Sequence, residues 1–247
     1  MTLKRVVDLL MTVLLLFLMA FQVTGEAAHE WLGMGMFVLF LIHQWLNCQW
    51  YRALFKGRYG LVRSLWTAVN VLLLVAFLVT VASGMTMSRH ALAFLDFRSG
   101  TYWAKLAHLA GSYWSFILMS LHLGLHWSMV AGRLLRGWKG AGLSAFAVLT
   151  AGYGLHLFLV KDISSYLFLT TQFAFLDYEK ASALVLAENL AMMSFWVLLA
   201  YQGYKAVAGL ASKRWRSLLQ PALALMAAGG FSALLSVVFG GAPDGSW

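Results

Sequence analysis

The chain has 247 residues, of which 62% are hydrophobic and only 11% charged, with a net charge of +9. A soluble domain of this length needs more charge to stay dispersed, so the composition favours one membrane domain over two soluble ones. The single cysteine, Cys48, excludes an internal disulfide; with no C-x-x-C-H motif, a covalently attached haem and a cysteine-held iron–sulfur cluster are excluded as well.

Apolar runs of the length that crosses a bilayer, about 20 residues, are separated by short charged clusters. The first covers about 6–24. Lys4 and Arg5 precede it as they would in a signal peptide, but no clean cleavage site follows, so it reads as a retained span. The second, about 30–50, begins beside His29 and contains His43. The third, about 65–88, ends at Arg89 and His90. The fourth, about 104–131, carries His108, His122 and His126. The fifth, about 141–160, contains His156. The connection 161–181 holds Tyr166, Phe168, Phe173, Phe175 and Tyr178 among few charges. Irregular backbone cannot face lipid, so this segment is expected at the interface or folded back over the bundle. The sixth and seventh spans follow at about 182–206 and 219–240. The only prolines, Pro221 and Pro243, leave the earlier helices uninterrupted.

Basic residues select an orientation. With the N-terminus in the cytoplasm, Lys4, Arg5, Arg52, Lys56, Arg58, Arg63, Arg133, Arg136, Lys139, Lys205, Lys213, Arg214 and Arg216 lie inside. Arg89, Arg98, Lys105, Lys161 and Lys180 lie outside, with most of the acids. The positive-inside rule therefore gives N-in, C-out. The net charge is a topology signal beside anionic lipid and requires no nucleic acid.

The histidines carry the chemistry. An imidazole inside a bilayer is costly unless something satisfies it. His29 and His43 are 14 residues apart, as are His108 and His122. That spacing is close to four helical turns, so each pair shares a face, with its members roughly 21 Å apart along the axis. Both helices run from outside to inside. His29 therefore matches His108 in depth near the outer surface, and His43 matches His122 near the inner one. Two histidines at matched depth on facing helices supply both axial ligands of one haem iron, and the chain offers this arrangement twice. Gly33, Gly111, Ser112 and Ser115 share the ligand faces; they leave room for a flat porphyrin or, alternatively, let helices pack closely. His126, one turn beyond His122, competes for the inner iron, or bonds a propionate, or serves a quinone. His90 and His156 leave a third haem or metal site near the outer face open. Arg52 at the inner rim and Arg89 at the outer rim suit haem propionates or simple interfacial snorkelling. Asp8 and Glu188, within the first and sixth spans, are either proton groups at a quinol site or partners in helix–helix hydrogen bonds.

Several segments resemble one family in the right order. They are Thr24-Gly25-Glu26-Ala27-Ala28-His29-Glu30-Trp31-Leu32-Gly33, then Ser83-Gly84-Met85-Thr86-Met87-Ser88-Arg89-His90, then Leu121-His122-Leu123-Gly124-Leu125-His126-Trp127. The family is the flavinylation-associated cytochromes of bacterial membranes, formerly a domain of unknown function. The resemblance covers most of the first 130 residues and, more loosely, Lys161-Asp162 through Asp177. It implies a b-type cytochrome of the cytoplasmic membrane working with flavin-bearing partners outside it. His29, His43, His108 and His122 then fall on ligand positions, with His126 inside the motif. The chain has no recognisable flavin-attachment segment of its own. The arrangement also looks like the haem core of respiratory cytochrome b, an analogy that supports fold more than substrate.

The expectation is thus an all-α, polytopic bundle of about seven spans. Residues 1–132 form a four-helix core holding two haem b groups, and 133–247 add three further transmembrane helices with the outer aromatic segment 161–181. The expected function is electron transfer between membrane quinol and an extracytoplasmic flavoprotein or other redox protein, as the electron-transfer subunit of an oxidoreductase such as a quinol dehydrogenase. The alternatives are a haem-free histidine and carboxylate proton channel or transporter, and a membrane anchor for a redox subunit.

Overall fold

The computed structural model describes residues 2–94, 101–134 and 138–210, and its regular elements are all helices. In chain order they are α1 (Leu3–Leu18), α2 (Phe21–Leu46), α3 (Gln49–Leu54), α4 (Leu61–Met87), α5 (Thr101–Leu134), α6 (Trp138–Val160), α7 (Ile163–Leu167) and α8 (Ser182–Leu210). One compact unit covers Met1–Gln202; a second begins at Gly203 and is described only to residue 210. The expected seventh span, 219–240, lies outside the described residues.

Among the described residues two helices, Leu61–Met87 and Ser182–Gly209, are long and apolar enough to cross a membrane. Only 6% of the apolar stretch in the first is buried inside the protein. The core helix of a soluble protein would bury it. Here Leu72, Val75, Leu78 and Val79 all face outward, which suits an apolar surrounding.

The first apolar run ends earlier than expected. Helix α1 stops at Leu18, and Ala20 leaves helical geometry with φ −103° and ψ 56°. After one turn the chain bends again at Gly25, where φ is 69° and ψ is 174°. That combination is essentially confined to glycine, because a Cβ would clash with the backbone. Apolarity continues through both breaks, so composition alone gives no sign of them. The bends fold Phe21 back against His29, with ring centres 5.1 Å apart.

Val7, Met11 and Leu15 lie on successive turns of one α1 face and are buried with Met36 and Phe40 of α2 and Phe77 of α4. The Phe40 and Phe77 rings meet at 4.4 Å. Helix α4 lies along α5, and polar side chains join them: Thr80 Oγ1 and Ser115 Oγ are 3.2 Å apart. A Cβ at Gly111 would stand 2.7 Å from Thr80 Oγ1, too close to be accommodated unchanged. Gly111 and Ser115 therefore serve the α4–α5 contact, the close-packing role of small residues. Gly33, by contrast, has open space where its Cβ would be. Gly124 of α5 packs against the Val197 backbone, and Gly154 of α6 against the Ala191 backbone, so both meet α8 closely.

The connection 161–181 divides into two parts. Ile163, Ser165, Tyr166 and Leu167 of α7 are buried. Tyr166 stacks on Tyr113 of α5 at 4.8 Å, and Trp114 Nε1 donates to the Leu167 carbonyl at 3.1 Å. Phe168, Phe173, Phe175 and Tyr178 are exposed. Lys161 and Lys180, at the two ends, both reach the buried carboxylate of Glu188 on α8, at 2.7 and 2.6 Å. Glu188 is thus an ion-paired clasp for the connection. The bond to Glu188, foremost, holds the Lys180 ammonium above its usual pKa.

Candidate functional site

Helices α2 and α5 bring four histidines together as two couples. The His29 and His108 ring centres are 6.1 Å apart, with planes at 75°. The His43 and His122 centres are 6.4 Å apart, with planes at 76°. An imidazole nitrogen lies roughly 1 Å from its ring centre, given C–N bonds of about 1.33 Å. A metal–imidazole bond is about 2 Å. Two rings on opposite sides of one metal ion therefore stand about 6 Å apart, centre to centre. Both couples match that separation. Edge-to-face packing of unliganded rings covers the same range, so distance alone does not decide between them.

The ring nitrogens add a second criterion. His43 Nδ1 is 2.9 Å from Asp8 Oδ1 on α1. His108 Nδ1 is 3.0 Å from the Thr80 carbonyl oxygen and 3.4 Å from Ser83 Oγ, both on α4. His122 Nδ1 is 2.8 Å from Asn70 Oδ1, also on α4. A carboxylate, a carbonyl and an amide oxygen accept hydrogen bonds, so all three rings carry their proton on Nδ1. The lone pair then sits on Nε2, and among the described residues no hydrogen bond is made at Nε2 of these rings. Metal-bound histidines are fixed by their second nitrogen in this way. The donor set fits two bis-histidine haems. His29 differs, because its Nδ1 is buried without a hydrogen-bond partner among the described residues.

The remaining sequence-derived candidates divide. His126 lies against Trp66 at 4.5 Å and beside His122 at 4.7 Å, whereas the ring facing His43 across the helices is His122. Arg89 Nε is 3.8 Å from Glu26 Oε1, and its side chain is largely exposed. Arg52 sits exposed on α3. His90 and His156 are both exposed, and His156 stacks on Tyr153 at 6.4 Å.

Two features were not anticipated from the residues. Asn70 is a lone amide in the apolar α4, and an isolated polar group there asks for a partner, a signal outside the histidine periodicity. Glu30 counts in the sequence as an outer acid and as a member of the first quoted motif, with no role of its own. Its Oε2 accepts from the Ser88 hydroxyl and the His90 and Ala91 amides, and its Oε1 from the Arg89 amide, all between 2.7 and 2.9 Å. Glu30 thereby ties the N-terminal part of α2, next to His29, to the end of α4. Glu26, Glu30 and His90 also place ligand atoms within 4.8 Å of one another. With its oxygens already engaged by four donors, Glu30 has little left to offer a cation.

Comparison with protein-family models, with curated proteins and with solved structures finds no match.

Proposed function

We propose that this chain is a dihaem b-type cytochrome of a bacterial cytoplasmic membrane, related to the flavinylation-associated cytochromes. In this reading it spans the bilayer about seven times with its N-terminus inside. It passes electrons between membrane quinol and an extracytoplasmic flavin-bearing or other redox protein, as the electron-transfer subunit of a quinol dehydrogenase. One observation carries the reading: two histidine couples on the same two helices, both at metal-bridging separation, with three of the four rings held in the Nδ1–H form.

Bound haem supplies one-electron exchange at its iron. The chain's residues do the rest. His29 and His108 hold the outer group, and His43 and His122 the inner one. Thr80, Asn70 and Asp8 set ring orientation through Nδ1. The open space beside Gly33 gives a planar group room next to α2. Lys4 Nζ reaches Asn47 Oδ1 at 3.4 Å, and Asn47 Nδ2 donates to the His43 carbonyl at 2.8 Å, so α1 meets the chain at His43 through Asp8 and one turn beyond it through Lys4. Arg52 and Arg89 are assigned to propionates at the two rims.

The test is the colour and haem content of purified protein. The expected result is a bis-histidine low-spin spectrum with about two haems per chain. Colourless protein that carries protons into liposomes would instead favour the haem-free channel.

A further inference from the structure

The two couples are alike in ring separation and unlike in what their Nδ1 atoms touch. We infer that Asp8 makes the inner couple the low-potential site, so that an electron shared between the two sites rests on the outer one. This rests on the dihaem reading above.

An imidazole whose N–H donates to an acceptor becomes a more basic ligand, and a more basic ligand favours the ferric state. A charged acceptor does more than a neutral one, since charge-assisted hydrogen bonds are about twice as strong. At the inner couple His43 has the Asp8 carboxylate at 2.9 Å and His122 the Asn70 amide oxygen at 2.8 Å. At the outer couple His108 has the Thr80 carbonyl at 3.0 Å, while His29 Nδ1 has no partner among the described residues. The inner ligands therefore receive one charged and one neutral acceptor, and the outer ligands one neutral acceptor.

Glu30, next to His29, is a carboxylate beside the outer couple, but its oxygens bond the Ser88 hydroxyl and the amides of residues 89–91 and neither ring nitrogen, so the direct bond from Asp8 to His43 is what separates the couples. Lys4, one turn before Asp8, is directed to Asn47. The Asp8 side chain is half exposed, at 52%, which attenuates its charge over distance but leaves the direct bond to His43 in place. The redox balance is simple. With haem bound at both couples, one electron would reduce the group held by His29 and His108 and leave the one held by His43 and His122 oxidised, with no bond formed or broken. In the test the electron comes from dithionite.

Asp8 is thus a positioning and potential-setting residue, and the readout is a potentiometric titration of purified protein followed by absorbance. Wild type is expected to titrate in two waves. Asp8→Asn keeps an acceptor but removes the charge. It should make the lower-potential site roughly tenfold easier to reduce, about 59 mV for one electron, and leave the upper wave in place. Asp8→Glu should return the lower wave towards wild type. Asn70→Asp should move it the other way, because it adds a second carboxylate at the same couple. His29→Ala, which retains only the inner site, should titrate at the lower potential. A single unresolved wave, a shift of the upper wave in Asp8→Asn, or no shift in either Asp8→Asn or Asn70→Asp would overturn the inference while leaving the dihaem reading standing. A colourless wild type would remove both.

Discussion

The outer couple, His29 and His108, and the inner couple, His43 and His122, share helices, spacing and ring separation, yet they are fastened by different neighbours. The inner rings are held from two other helices, α1 through Asp8 and α4 through Asn70. The outer couple has one held ring, His108, while His29 is confined by packing against Phe21 and by the Glu30 anchor beside it. Periodicity along a helix is enough to make a repeated ligand pattern. What distinguishes one copy from the other comes from the helices packed around it.

Removing a ligand should break the comparison most severely. His43→Ala and His29→Ala should each lose one haem completely and keep the other, measured as pyridine haemochrome per chain. Loss of both in either variant would show that the couples are not separate sites. Next in size is Glu188→Ala. It leaves Lys161 and Lys180 facing each other without their shared anion. Because both lysines also reach solvent, the loss should fall at the low end of the about 3–5 kcal/mol typical of a broken buried pair. Thermal unfolding should show it, with haem stoichiometry unchanged at low temperature. Asn70→Ala frees His122 Nδ1 and should weaken retention of the inner haem about 10–100-fold in a competition with apomyoglobin, with the outer haem unaffected. Gly124→Leu would press on the Val197 backbone and should cost about 1–3 kcal/mol of stability without changing the spectrum.

The smallest effect concerns pH. The pKa of Lys180 is raised above its ordinary value of 10.5, chiefly by its bond to Glu188. A raised cationic pKa means that its stabilisation is complete below the unfolded value and is lost as pH rises through the folded one. Thermal stability should therefore fall above about pH 10.5 in wild type and fall less steeply in Lys180→Met.

Much of this was legible in the residues, for identifiable reasons. Long apolar runs report helices, and the extents expected for 104–131 and 182–206 fall inside α5 and α8. The 14-residue intervals placed His29 opposite His108 and His43 opposite His122 in depth, because helical rise is regular. Depth says nothing about rotation around the axis. By spacing alone Gly111 and Ser115 suit porphyrin space or packing equally, and the structure turns them to Thr80. The break at Ala20 was hidden because hydropathy does not register dihedral angles. Asp8 stood open between a proton group and a helix–helix bond, and its contact with His43 requires knowing which face α1 turns to α2. Asn70 carried a signal, an amide in an apolar helix, that periodicity arguments pass over.

The most direct measurement is haem per chain in purified wild type beside His122→Ala and His126→Ala. Four imidazoles acting as two cross-helix couples should give about two haems in wild type, one in His122→Ala and two in His126→Ala. Protein isolated without pigment, or full pigment in His122→Ala, would contradict the account.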